Sequence, residues 1–580
     1  MAIPKLFVII LHAHLAALAA ASSPVDNRGK QHPFTVETTS GVFAPYISPS
    51  SPSVAAFLDV PYAQNPTGVL HFAPPVPLLR SKGNATVVYA TEVPGACIQY
   101  TPPVLQGTIA TEAEHSFLVD RGDYSGTTED CLRLSIYAPR HDVESAASSK
   151  NSGTGQQQQK KGGLPVVVWI HGGGWSLGGN RVPYQIPANW VERSQAHIVV
   201  QVQYRLNILG QPNAAGLASP SSSFENSTFE LKNRNLNFGL LDQRLAVEWV
   251  RDNIASFGGD PARITLWGQS AGAYSADAYL FAWAEKDPIV SGVIANSGNA
   301  VAAETFVSDA FNHSTFSLAA RHLGCGGGLS PSEELACMRA VPEAKIKAFT
   351  QAPLRPETGV GEGAGAADLG LLFWPIVDNV TWFGDYASLI NTSSPKFPAH
   401  IPLLISTLTN EGAALVPYNF AGSETETQIP AQYQGVADAF ARNLRCTTLR
   451  ETRLRSKRAG AATGAGAVTY RHLYAGNFSD VAPRPWLGAY HTADLPLVFG
   501  TYGTEGGLVK GTSFEKRVSE RMQDLYLEFL RDPADGLRRA GWPEVTGDLD
   551  EKDIMVFAAD GEVEQVGAGN RFGLGDECER

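Results

Sequence analysis

The segment Gly268-Gln269-Ser270-Ala271-Gly272 has the Gly-x-Ser-x-Gly spacing that exposes a hydroxyl nucleophile on a tight turn between a strand and a helix. The spacing recurs at Gly174-Trp175-Ser176-Leu177-Gly178, so context must separate the two. An apolar, strand-like run at residues 264–267 precedes Ser270, and the Ala-rich stretch after it reads as a helix. Ser176 is followed by Gly-Gly-Asn-Arg-Val-Pro, which cannot continue a helix. Ser270 is therefore the candidate nucleophile for acyl transfer. That chemistry also needs N–H donors aimed at the tetrahedral oxyanion. Ala271, at the positive start of the following helix, supplies one, and the loop His171-Gly172-Gly173-Gly174 supplies the others.

A serine hydroxyl is a weak nucleophile until a base takes its proton and an acid holds that base in the right tautomer. On a strand–turn–helix scaffold the order along the chain is Ser, acid, His. His491 lies in the loop-like stretch Gly-Ala-Tyr-His-Thr-Ala-Asp-Leu-Pro, whereas His472 sits inside the strand-like Val-Thr-Tyr-Arg-His-Leu-Tyr. His491 is the candidate base and His472 a structural histidine. The acid should stand just past the end of a strand. Thr409-Asn410-Glu411-Gly412 follows the apolar run 401–407, which nominates Glu411; Asp378, after Leu-Phe-Trp-Pro-Ile-Val, is the rival.

These residues need a rigid support. Near-continuous apolar runs occur at 164–170, 198–204, 264–267, 289–295 and 401–405, the signature of strands buried on both faces of a parallel sheet. Between them, residues 240–257 place Leu241, Leu245, Trp249, Ile254 and Phe257 on one helical face. Alternating strands and helices over this length predict an α/β fold with a large, mostly parallel sheet flanked by helices. Residues 141–163, rich in Ser, Ala and Gln, and residues 453–466, a basic cluster of Arg453, Arg455, Lys457 and Arg458 running into Gly and Ala, read as solvated loop insertions.

The chain has 580 residues, 43% hydrophobic and 18% charged, with 45 Lys plus Arg against 57 Asp plus Glu, a net charge of −12. That balance fits a large core with a solvated acidic surface and argues against a nucleic-acid partner. Residues 1–21 read as a secretory leader with cleavage near Ala21, and no other run is long enough for a transmembrane segment. An extracellular protein with six cysteines (Cys97, Cys131, Cys325, Cys337, Cys446 and Cys578) is expected to form three disulfides, and spacing alone leaves fifteen connectivities open. Sequons at Asn84, Asn226, Asn312, Asn379, Asn391 and Asn477 are candidate glycosylation sites. No zinc-like Cys-x-x-Cys or His-x-x-x-His spacing occurs, and the chemistry outlined requires neither metal nor cofactor.

Taken together these residues resemble the type-B carboxylesterases, the family of cholinesterases and some fungal lipases. Phe57-Leu58-Asp59-Val60-Pro61-Tyr62-Ala63-Gln64 resembles the N-terminal block and Glu129-Asp130-Cys131-Leu132-Arg133-Leu134 a second signature. Phe257-Gly258-Gly259-Asp260-Pro261 leading to Gly268–Gly272 resembles the active-site signature, and Glu411 and His491, with Val498-Phe499-Gly500, complete it. The resemblance implies an α/β-hydrolase fold, a Ser270-Glu411-His491 triad and an oxyanion hole of Gly173, Gly174 and Ala271. It implies disulfides Cys97–Cys131 and Cys325–Cys337, and pairs Cys446 with Cys578 in a cholinesterase-like bridge. Lipases of the family use the first disulfide loop as a lid. Two departures weigh against choline esters: residues 98–130 contain no Trp, and Ala414 stands where an aromatic follows the catalytic Glu. Gln269 replaces the Glu that many relatives carry before the nucleophile, removing a charge beside the base.

Because motifs from residue 57 to residue 500 assemble one site, residues 22–580 are expected to form a single domain. The expectation is a secreted serine hydrolase acting on a small-molecule or lipid ester. A triacylglycerol lipase with a long acyl tunnel is the alternative, and a non-catalytic binding module is a third reading that a complete triad disfavours.

Overall fold

The computed structural model describes residues 34–578 apart from 80–85, 101–125, 152–161, 218–235, 310–311, 353–365, 367, 393, 417–427, 462–467, 483, 504–510, 547–551 and 568–577. Residues 1–21, read above as a leader, Asn84 and Asn226 lie outside the described residues, as does most of the Cys97–Cys131 loop.

Eleven strands form the main sheet. In chain order they are β1 (Tyr46–Ser48), β2 (Ser51–Pro61), β3 (Arg133–Pro139), β4 (Leu164–Ile170), β5 (Ile198–Val202), β6 (Gly259–Gln269), β7 (Gly292–Asn296), β8 (Leu403–Leu408), β9 (Thr469–Tyr474), β10 (Ile554–Ala559) and β11 (Glu562–Val566). Their spatial order is β11-β10-β9-β8-β7-β6-β4-β5-β3-β2-β1. From β10 through β5 the pairings are parallel, while β11 at one edge and β3, β2 and β1 at the other pair antiparallel. Three short strands, Val36–Glu37, Val42–Ala44 and Val87–Tyr89, make a separate sheet.

The predicted two-sided burial is visible residue by residue. On β4, Val166, Val168 and Ile170 enter one core while Val167 and Trp169 enter the other. Strand side chains alternate between faces, so a run apolar at every position needs helices on both sides. The sheet also changes direction of growth at β4, whose neighbours are β5 and β6. Such a switch opens a crevice at the C-terminal ends of the strands. The helix α2 (Phe238–Asn253), continued by a 3-10 turn at Ile254–Phe257, matches the expected periodicity. The strand foreseen at 289–295 is shorter and begins at Gly292.

All six cysteines are paired, as Cys97–Cys131, Cys325–Cys337 and Cys446–Cys578. Among the described residues no helix is long and apolar enough to cross a membrane.

Both segments read as loop insertions contain helix. Residues Arg140–Asn151 form α1, with Val143 buried in the core and an Arg140–Glu144 bond of 2.7 Å one turn apart. The Ser/Ala composition masked that anchor, and alanine is itself the best helix former. Residues 453–461 are the last turns of a long helix, α4 (Ala431–Ala461). Its basic cluster is not a uniform solvated face. Arg455 is fully buried and donates to Glu451 at 2.8 Å and to Asp277 at 2.7 Å. Asp277 lies on α3 (Ala271–Trp283), the helix that follows Ser270. Its Oδ2 also accepts from Ala300 N–H, and Glu451 accepts from Val301 N–H. Burial, then the Asp277 carboxylate, pushes the Glu451 carboxyl well above its ordinary range.

Removing Arg455 would strand buried carboxylates without their cation. Arg455→Ala is expected to lower unfolding stability by about 3–5 kcal/mol, whereas Lys457→Ala, on the exposed face of the same turn, should stay within about 0.5 kcal/mol; denaturant titration of both variants checks this. A second prediction concerns acid. His171, His197 and His472 are fully buried, and burial lowers them to about 4, about 3 and about 3. The unfolded chain takes up these protons near pH 6.5, so stability present above that pH is lost as pH falls toward 4. The melting temperature of His472→Gln should therefore fall less steeply between pH 7 and pH 4 than that of the parent.

Candidate functional site

Ser270 stands between β6 and α3 with φ 54° and ψ −126°, a backbone geometry unusual for a residue with a side chain. Its N–H donates to Asn296 O on β7 at 2.9 Å, and its carbonyl accepts from Tyr274 N–H at 2.9 Å. The turn thus lifts a partly exposed side chain over the C-terminal edge of the sheet.

The glycine loop after β4 lies beside it. Gly173 has φ 106°, and a Cβ there would sit 2.2 Å from Leu177 O, so only glycine fits. The Gly173 carbonyl accepts from Ser176 and Leu177 N–H at 3.0 and 3.1 Å, which turns the loop back on itself. The N–H groups of Gly173, Gly174 and Ala271 have no acceptor among the described residues. Beneath them His171 stacks on Tyr204 at 4.5 Å, and its backbone carbonyl accepts from the Tyr204 hydroxyl at 2.8 Å. Ser176, the rival serine, is fully buried and donates to Gly174 O at 3.2 Å; it braces the loop.

Glu411 and His491, eighty residues apart, meet. Glu411 Oε2 is 2.6 Å from His491 Nδ1, and its Oε1 accepts from Leu408 N–H at 2.9 Å. Asn410 N–H donates to Ala489 O at 3.0 Å and its side chain to Trp486 O and Leu487 O. The acid's loop is therefore stitched to the base's loop by the residue just before Glu411. His491 Nε2 faces the nucleophile turn, 3.1 Å from the side-chain nitrogen of Gln269. The edge of Phe440, on α4, closes the ring's flank at 5.7 Å.

The rivals are placed elsewhere. Asp378 accepts from the N–H groups of Val380, Thr381 and Trp382 and from Thr381 Oγ1, so its carboxylate caps its own turn. His472 lies in β9 with Nε2 3.1 Å from the Tyr526 hydroxyl.

The sequence reading missed the polar layer behind the site. Asp494, three residues after His491, is buried; its Oδ2 accepts from Asn296 Nδ2 at 2.6 Å, and the same amide donates to Tyr526. Burial raises Asp494 to about 6, with Glu411 adding to the rise and the Asn296 hydrogen bond opposing it. A carboxylate inside the loop motif of the base was the available signal.

Ser270, His491 and the glycine loop open on a cavity of about 330 Å³. Trp175, Tyr274, Phe306 and Trp374 line it as an aromatic group, with Tyr274 stacked on Phe306 and Phe306 perpendicular to Trp374. Val182, Tyr184, Ala414, Leu415, Val416 and Val436 also line it. Residues 101–125 of the proposed lid lie outside the described residues. Among the described residues no cluster of three His, Cys, Asp or Glu side chains is arranged to hold a metal ion. Of the sequon asparagines, Asn312, Asn379, Asn391 and Asn477 are exposed.

The model of the carboxylesterase family matches residues 36–458. The chain is 52% identical over 571 residues to secreted lipase 5 of Gibberella zeae, covering 98% of both chains. It is 38% identical over 585 residues to chlorogenic acid esterase of Aspergillus niger, again covering 98% of both. It is 31% identical to lipase 2 of Diutina rugosa over 369 residues, 61% of this chain and 58% of that one. With an α/β-hydrolase sheet beneath a serine turn and a family match over most of its length, this chain belongs to the carboxylesterase family and is a carboxylic ester hydrolase.

Proposed function

We propose that Ser270 is the nucleophile, His491 the general base and Glu411 the acid that orients it. Ser270 Oγ attacks the ester carbonyl as His491 Nε2 takes its proton. The oxyanion forms within reach of the N–H groups of Gly173, Gly174 and Ala271. His491 then returns the proton to the leaving alkoxide, giving the alcohol and an acyl-serine. Water attacks that ester, His491 again takes and returns a proton, and the acid leaves. The observation that carries this reading is the 2.6 Å Glu411–His491 contact beside the serine turn. It fixes the Nδ1–H tautomer and leaves Nε2 basic. No metal or cofactor enters the steps.

The substrate proposed is an ester with an apolar acyl group, held against the aromatic wall. The relative named as a chlorogenic acid esterase supports an aryl acyl group. The relative named as a secreted lipase supports the second reading, a longer aliphatic acyl chain. We also propose export: relatives sharing nearly the whole chain include one named as secreted, and the cysteines pair in three disulfides. In that compartment Asn312, Asn379, Asn391 and Asn477 are exposed and open to glycosylation.

Ser270→Ala is expected to cut kcat by about 10⁵–10⁶ and to abolish labelling by a fluorophosphonate while leaving the thermal unfolding profile intact. A variant that keeps its turnover or its label moves the nucleophile elsewhere. Glu411→Gln keeps the shape but not the charge, and should cost about 10⁴ in kcat. Chlorogenic acid and p-nitrophenyl esters from acetate to palmitate, compared by kcat/KM, separate the two acyl readings.

A further inference from the structure

One contact lies across the proton path. His491 donates Nδ1–H to Glu411, so the neutral ring offers a single lone pair, at Nε2. That lone pair faces the side-chain nitrogen of Gln269 at 3.1 Å. Gln269 is almost fully buried at the end of β6. Its Oε1 lies under the glycine loop, where a Cβ on Gly172 would come within 2.6 Å of it. The amide therefore fills the space between the oxyanion loop and the base, with its N–H turned to His491.

Resting on the triad reading above, we propose that Gln269 is a positioning residue that sets the proton affinity of His491 by switching the face of its amide. In the resting enzyme the amide N–H donates to Nε2 and stabilises the neutral imidazole. Nε2 has one lone pair, so this N–H competes with the Ser270 hydroxyl for it. Once Nε2 carries the serine proton, the amide N–H opposes Nε2–H. A half-turn of the amide about its terminal bond presents Oε1 as the acceptor instead. No atom is gained or lost; one hydrogen bond replaces another. A glutamate at this position accepts only, and so pairs only with the imidazolium.

The other groups around the ring define the background. Glu411 holds Nδ1. Asp494 is bonded to Asn296 and senses His491 electrostatically. The phenol of Tyr184 interacts with Thr492, and that of Tyr274 faces Glu411. From α4 the uncharged ring of Phe440 lies against His491. None of these supplies a switchable partner at Nε2.

The pH dependence of kcat/KM, which reports the free enzyme's base, provides the test, with rates normalised to sites counted by fluorophosphonate titration so that misfolded protein drops out. In Gln269→Glu the acid limb should move to higher pH by about one unit or more, as a carboxylate within hydrogen-bond reach favours the imidazolium. In Gln269→Met, which neither donates nor accepts, kcat should fall because the imidazolium loses its acceptor. An acid limb that stays in place or moves to lower pH in Gln269→Glu, or a kcat in Gln269→Met equal to the parent's, overturns the proposal and leaves Gln269 as packing. A parent enzyme that neither cleaves esters nor takes the label would instead overturn the triad reading.

Discussion

The backbone at Ser270 is the constraint on which the rest depends. A side-chain-bearing residue at φ 54° and ψ −126° is held against its own preference, at a cost of about 1–3 kcal/mol. Neighbours over-determine it. A Cβ on Gly272 would stand 2.0 Å from Ile170 O, and one on Gly268 would stand 2.1 Å from Gly272 O. Helix α3 therefore leaves the sheet in near-contact with β4, and the serine is squeezed out over the edge. The parallel register of β4, β6 and β7 then fixes what surrounds it, since β4 ends in the glycine loop and β7 ends in Asn296, which receives the Ser270 N–H.

Holding that turn requires polar groups deep in the protein, each with its partners. Behind the base, Asn296 joins Trp267, Asp494 and Tyr526. Behind α3, Asp277 joins Arg455 and the backbone of residue 300. A buried carboxylate without such partners would be protonated or would destabilise the fold. The two clusters anchor, respectively, the loop that carries His491 and the helix that follows Ser270. Their burial also keeps the local dielectric low, which strengthens the Glu411–His491 contact relative to the same pair in water.

Sequence legibility followed the range of the interactions. Ser270 could be told from Ser176 because the deciding signal, strand before and helix after, is local. Glu411 and His491 were nominated by signals of the same local kind, a position just past a strand and a loop of recognisable composition, and the fold brings the two side chains together. The strands were legible as elements because two-sided burial writes itself as uninterrupted apolar runs. Composition failed where one residue overrides it. Val143 turns a Ser/Ala stretch into a packed helix, and Arg455 converts a basic surface into the centre of a buried cluster because its two partners lie four and 178 residues away. The contact between Gln269 and His491 spans 222 residues. Sequence alone identified Gln269 as a departure from its relatives; only the fold assigns it a partner.

The cavity and the polar site act on one another. On the proposed mechanism, an ester carbonyl entering against Trp175, Tyr274, Phe306 and Trp374 would displace water from beside Ser270, and the N–H groups of the glycine loop would then meet the developing oxyanion without bulk solvent competing for them. The stacked and edge-on packing of Tyr274, Phe306 and Trp374 braces this wall from within. A neutral residue at position 269 suits the same arrangement. In a cavity lined mainly by apolar side chains an extra carboxylate beside the base would hold a proton on His491 and attract cations, and neither serves attack on a neutral ester. On the proposal above, the neutral amide partners both forms of the His491 ring while filling the space beneath the glycine loop.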